Sequence, residues 1–151
     1  AEAVGKKLDE ILIETTRRRL LQQSDNRINE LAAQYNSSSL QPKDFNLTIR
    51  GKTFQADPQL SIGAPIYTGT TELDVMNYFK QLAGVKAMPD VKSIPGKGDV
   101  YAVTISSGVN VGSKITLRNF SSSAQQSGAA WTIDVINPLI NSGKRVEIKF
   151  K

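Results

Sequence analysis

The chain has 151 residues, 39% of them hydrophobic and 22% charged, with a net charge of +5 at pH 7, which fits one soluble globular domain. It contains no Cys and no His. That excludes thiol nucleophiles, disulfides, zinc centres, Ser-His-Asp triads and every His-based acid–base scheme. Any chemistry must rest on Lys, Arg, Asp, Glu, Tyr, Ser and Thr, and neither a metal nor a cofactor is expected. No run approaches the ~20 apolar residues that span a bilayer. Ala1 to Lys7 lacks the apolar core of a signal peptide, so if the protein is exported its signal is expected outside this fragment.

Residues 4–35 read as helix. Val4, Leu8, Ile11 and Leu12 recur at three- and four-residue spacing, as do Ile28, Leu31 and Tyr35. Ser24-Asp25-Asn26 interrupts the stripe, which predicts a long helix to about Gln23 and a shorter one capped by Ser24 or Asp25. Arg17-Arg18-Arg19 reads as a solvated helix face. Residues 36–69 are irregular, punctuated by Pro42, Pro58 and Pro65, with a short hairpin expected from Asn46–Ile49 and Thr53–Gln55. Thr71-Glu72-Leu73-Asp74 has the capping-box pattern, and Leu73, Met76, Phe79 and Leu82 follow at helical spacing until Gly84. This predicts an amphipathic helix over 71–83.

Four segments then alternate with period two: Asp99–Ile105, Lys114–Phe120, Ala130–Ile136 and Lys144–Phe150. Their Gly-, Ser- and Asn-rich connections suit an antiparallel meander. The expected fold is α+β, with N-terminal helices packed on a C-terminal four-stranded antiparallel sheet. Residues 1–70 would form a helical and irregular segment and 71–151 the helix-plus-sheet core, together one compact domain.

Sorting the strands by face gives the sharpest expectation. Tyr101, Val103, Ile105, Ile115, Leu117, Trp131, Ile133, Val135, Val146, Ile148 and Phe150 share an apolar face suited to a core. Thr104, Thr116, Arg118, Thr132, Asp134, Glu147 and Lys149 share the other, a polar face expected to meet water. Residues 96–151 carry Lys97, Lys114, Arg118, Lys144, Arg145, Lys149 and Lys151 against Asp99, Asp134 and Glu147. That excess favours a polyanionic partner, or serves solubility alone.

Hydroxyls beside Arg and Lys suit a phosphate, and Ser121-Ser122-Ser123 could form an anion-binding turn next to them. RNA supplies its own nucleophile, the 2′-OH, so such a surface needs only to position it, offset charge and move a proton. Arg118 and Lys149 can supply charge. Asp134 can act as base or as orienter, and Thr132 or a serine can bind a non-bridging oxygen. DNA cleavage usually needs metals held by several carboxylates, and only Asp134 and Glu147 share this face.

Gly98-Asp99-Val100-Tyr101, Thr116 to Ser123, Trp131 to Val135 and Val146 to Phe150 resemble the C-terminal toxin domains of contact-dependent inhibition and related polymorphic toxins. Specifically, they look like the Barnase–EndoU–colicin–RelE (BECR) group of ribonucleases. The resemblance covers roughly residues 71–151. It implies Arg118 as the central-strand arginine, Ser122 or Ser123 as the hydroxyl after it, Thr132 and Asp134 as the third-strand pair, and Lys149 as the last-strand cation. Thr116 and Lys97 would bind substrate phosphate, although Lys97 in Pro95-Gly96-Lys97-Gly98 equally reads as an ordinary turn lysine. The resemblance further implies a tRNA substrate, a 2′,3′-cyclic phosphate product and an acidic immunity protein over the groove. It implies delivery as part of a larger secreted or surface protein and action in the target-cell cytoplasm. The alternative is a non-catalytic RNA- or partner-binding module using the same basic sheet. The role of residues 1–70 stays open between the toxin fold itself, entry and partner docking.

Overall fold

The computed structural model describes residues 2–120 and 130–151. Among these the fold is α+β. Helix α1 spans Glu2–Tyr35, 34 residues without a break, which corrects the expected pair of helices. The polar residues at its middle are used in tertiary contacts and leave the helical ladder intact. Ser24 is buried and its Oγ donates to the Leu82 carbonyl at 2.6 Å, while Asp25 accepts from the Asn110 amide at 2.8 Å. Ile28 and Leu31 face the core, but Leu8, Ile11, Leu12 and Ile13 are exposed.

A turn of 3₁₀ helix, Pro42–Asp44, leads into β1 (Asn46–Ile49) and β2 (Lys52–Gln55). These pair antiparallel as a separate two-stranded sheet. The turn between them is Arg50-Gly51, with φ of 53° and 80°. Two positive φ values in a row match the twist of a hairpin, and glycine takes the second at little cost.

Strand β3 (Ile66–Tyr67) precedes helix α2 (Glu72–Ala83). Thr71 caps α2: its Oγ1 accepts from the Asp74 N–H, and the Asp74 carboxylate accepts from the Thr71 N–H. Gly84 ends the helix at φ 70°. The buried face is Val75, Tyr78, Phe79 and Leu82, and Leu73 is exposed, a rotation from the stripe expected through Leu73 and Met76. The helix packs against both α1 and the sheet, and two contact directions bury a wider face than a single stripe.

The main sheet continues with β4 (Lys92–Ile94), β5 (Gly98–Thr104), β6 (Lys114–Arg118), β7 (Trp131–Ile136) and β8 (Val146–Phe150). The four predicted strands are all present and antiparallel in the order β5-β6-β7-β8. The sheet has six strands, however, in the order β3-β8-β7-β6-β5-β4. Strand β4 adds antiparallel at one edge and β3 adds parallel to β8 at the other. The first segment of the chain thus contributes a strand to the C-terminal sheet. One face of that sheet packs Ile115, Leu117, Ile133, Val135, Ile148 and Phe150 under the helices, as alternation requires.

Candidate functional site

The opposite face is organised by strand register. Arg118 on β6 stands opposite Thr132 on β7, which stands opposite Lys149 on β8. One pair along, Thr116 opposes Asp134, which opposes Glu147. Five of the sequence-predicted residues therefore form a block: Thr116, Arg118, Thr132, Asp134 and Lys149. Arg118 and Lys149 lie two strands apart, about 10 Å. Ser122 and Ser123 lie outside the described residues.

The face differs from the expected wet surface, because its centre is buried. Thr132 is 1% exposed, Lys149 6% and Asp134 7%. Lys149 belongs to an interior strand, between Thr132 and the buried Ile66 of β3, which accounts for part of that cover. Its backbone N–H donates to the Pro65 carbonyl. The Thr132 hydroxyl has no hydrogen-bond partner among the described residues, a condition that costs about 1–3 kcal/mol for a buried polar atom.

Arg118 is the hub. Its Nε donates to Asp134 Oδ2 at 2.8 Å and its Nη2 to Asp134 Oδ1 at 3.3 Å. Nη2 also donates to Glu147 Oε2, and Nη1 donates to the Phe120 carbonyl, both at 2.8 Å. The guanidinium carbon sits 5.9 Å from the centre of the Phe120 ring, within cation–π range. Burial works against the charge of Arg118. The hydrogen bonds and attraction from Asp134, joined by those from Glu147, outweigh it and raise the pKa above the ordinary arginine value. The result is a cation fixed in plane and direction, with one Nη1 hydrogen left uncommitted among the described residues.

Around this hub opens a cleft of about 580 Å³. Arg118, Asp134, Glu147 and Phe120 line it, and Lys97 and Arg145 stand on its walls. Arg145 is 59% exposed, with Nε 3.9 Å from Asp134 Oδ1. Lys97 is exposed on the turn between β4 and β5, which closes through Lys97 N–H to the Ile94 carbonyl and Gly96 at φ 75°. That turn is tied to the end of β6, because the Asn119 side chain accepts from the Asp99 N–H at 2.8 Å. Lys97 is thereby brought to the same cleft as Arg118.

Two of these groups escaped the sequence reading of the site. Alternation puts Glu147 on the polar face but assigns it no role, yet it is the second carboxylate on Arg118. Arg145 has no site role in the sequence pattern, although period two from Lys149 through Glu147 puts it on the same face. Among the described residues no cluster of three or more His, Cys, Asp or Glu is arranged to hold a metal. Among the described residues no helix is long and apolar enough to cross a membrane. No family model, curated protein or solved structure matches this chain.

Proposed function

We propose that this chain is a bacterial toxin module that cleaves RNA, with tRNA as the substrate, by attack of the ribose 2′-OH on the adjacent phosphate and without a metal. The observation that carries the reading is the convergence of Lys97, Arg118 and Arg145 with Asp134 and Glu147 in one cleft. Cations outnumber carboxylates there, which favours a phosphodiester over a neutral ligand. Fixed donors aimed at a site of developing charge need little reorganisation, which is how such groups lower a barrier. Asp134, buried and bonded to Arg118 through both oxygens, is the orienter. Glu147, with 30% of its side chain exposed, accepts the 2′-OH proton as the P–O2′ bond forms; the P–O5′ bond breaks, and the departing 5′-oxygen takes a proton from solvent. Both carboxylates already bind Arg118, so their chemistry here is orientation and proton transfer rather than chelation. Thr132, Thr116 and Lys149 stay in the proposal as the supporting rows beside the hub. Secretion within a larger protein, action in the target-cell cytoplasm and an acidic immunity protein over the cleft complete the reading.

A second reading is favoured by one observation: two carboxylates already balance Arg118. A non-catalytic RNA- or partner-binding module would need only the rim cations. The two readings separate when purified protein is incubated with total bacterial RNA in excess EDTA. Discrete tRNA fragments ending in 2′,3′-cyclic phosphate are expected. Lys97→Ala and Arg145→Ala should each slow cleavage about tenfold or more, while stability changes by less than about 0.5 kcal/mol because both side chains are exposed. Intact RNA retained on the protein would favour the binding module, and intact RNA with no retention would overturn both.

A further inference from the structure

A second cleft, of about 250 Å³, adjoins the first. Arg145 and Glu147 line both. Beyond them the second cleft changes character, being lined also by Tyr35, Leu40, Pro42, Phe45 and Asn141. Its walls are set firmly. The Tyr35 hydroxyl donates to the Glu147 carbonyl at 2.7 Å, and the Tyr35 and Phe45 rings meet edge to face with centroids 4.9 Å apart. Asn141 and its neighbour Ser142 both adopt left-handed backbone, at φ 50° and 57°, a conformation that strains non-glycine residues. Asn36, just past α1, holds that turn: its Oδ1 accepts from the Asn141 N–H and its Nδ2 donates to the Leu139 carbonyl.

We propose that this cleft is the subsite for the nucleobase of a nucleotide whose phosphate lies between Lys97, Arg118 and Arg145. This rests on reading the neighbouring cleft as a phosphodiester site. A base is flat and apolar on its faces and polar at its edge. Leu40, Pro42 and the half-buried Tyr35 ring, backed by the buried Phe45, give apolar surface suited to the faces, and the Asn141 carboxamide offers one group that donates and one that accepts to the edge. The volume admits a base but lies below that of pockets holding whole drug-sized ligands, so the sugar and phosphate belong outside it. The wall shared through Arg145 and Glu147 then sets the spacing between base and phosphate. The same subsite would confer preference for the residue beside the cut, in a region of the chain (35–45) that the sheet-centred reading left without a role.

The test uses the intact protein and the four nucleoside 3′-monophosphates, with ribose 5-phosphate and inorganic phosphate as controls, followed by amide NMR shifts. At least one nucleotide should bind about tenfold or more tighter than ribose 5-phosphate, with shifts concentrated at residues 35–45 and 139–147. Leu40 is 38% exposed, so Leu40→Asp should fold normally and bring that nucleotide down to the level of ribose 5-phosphate. Nucleotides binding no better than ribose 5-phosphate, no probe binding at all, or an advantage that survives Leu40→Asp would each overturn the subsite. RNA that stays uncut while the nucleotide advantage is present and Leu40-dependent would support the subsite and remove the ribonuclease. RNA cut with a base preference indifferent to Leu40→Asp would do the reverse.

Discussion

Truncating Arg118 would leave Asp134, with 9% of its side chain exposed, as a buried carboxylate without its main partner. Breaking a buried ion pair from one side typically costs about 3–5 kcal/mol, whereas replacing the pair with apolar groups is far cheaper. Arg118→Met should therefore lower the unfolding free energy by about 3 kcal/mol in urea titration, and adding Asp134→Leu should recover a good part of it. A single variant as stable as the parent would show that the network holds nothing together. Much of this site was legible in the sequence, because strand alternation is rigid: it put Thr116, Arg118, Thr132, Asp134 and Lys149 on one face without reference to anything distant. The pairing of Arg118 with Glu147 was not legible. It depends on register across β6, β7 and β8, and long connections leave that register open. The burial of Thr132 and Lys149 was also hidden, since exposure depends on what lies over a face as well as on which face it is.

The joint between the two helices turns on a small contact. A Cβ added at Gly84 would lie 3.2 Å from the Cβ of Ser24, and Gly84 holds φ at 70°. Gly84→Ala should therefore cost about 1–2 kcal/mol, from lost backbone freedom and a crowded helix crossing together, and thermal melting would show it. A melting temperature unchanged by this substitution would mean that the crossing is loose. At the other end of α2, the Thr71 backbone N–H and, less strongly, the Thr71 hydroxyl hold the Asp74 carboxyl below its ordinary pKa, against a weaker opposing effect of burial. A depressed folded-state value contributes stability that is present above the unfolded pKa and is lost as pH falls through the folded one. Stability should thus decline below about pH 4, and Thr71→Ala, about 1 kcal/mol less stable at neutral pH, should show a shallower decline. The cap and Gly84 were readable as local chemistry. The continuity of α1 through Ser24-Asp25-Asn26 was not, because the partners of Ser24 and Asp25 come from Leu82 and Asn110, far along the chain.

Three tyrosines on different elements give the whole molecule an alkaline limit. Burial, the leading cause in each case, raises the pKa of Tyr35, Tyr67 and Tyr78 above the ordinary tyrosine value. A phenol with a raised folded-state value contributes stability that is intact below about pH 10 and drains away as pH climbs from there toward the folded value. Melting temperature should fall from about pH 10 upward, and the tyrosinate absorbance of these three of the four tyrosines should rise together with unfolding rather than before it. Smooth ionisation in a still-folded protein would contradict that burial. Class and the four central strands were readable at this scale, whereas the two edge strands were not. Ile66–Tyr67 and Lys92–Ile94 are two and three residues long, too short for alternation to register. The parallel pairing of β3 with β8 has a temporal side. Strand β8 lies between β3 and β7 but follows both in the chain, so during synthesis or N-terminus-first threading those neighbours wait with open hydrogen-bonding edges. Glu147 and Lys149 arrive on that same last strand. A chain emerging in this direction therefore cannot join Arg118 to Glu147 until β8 has docked, and its most aggregation-prone interval comes just before that.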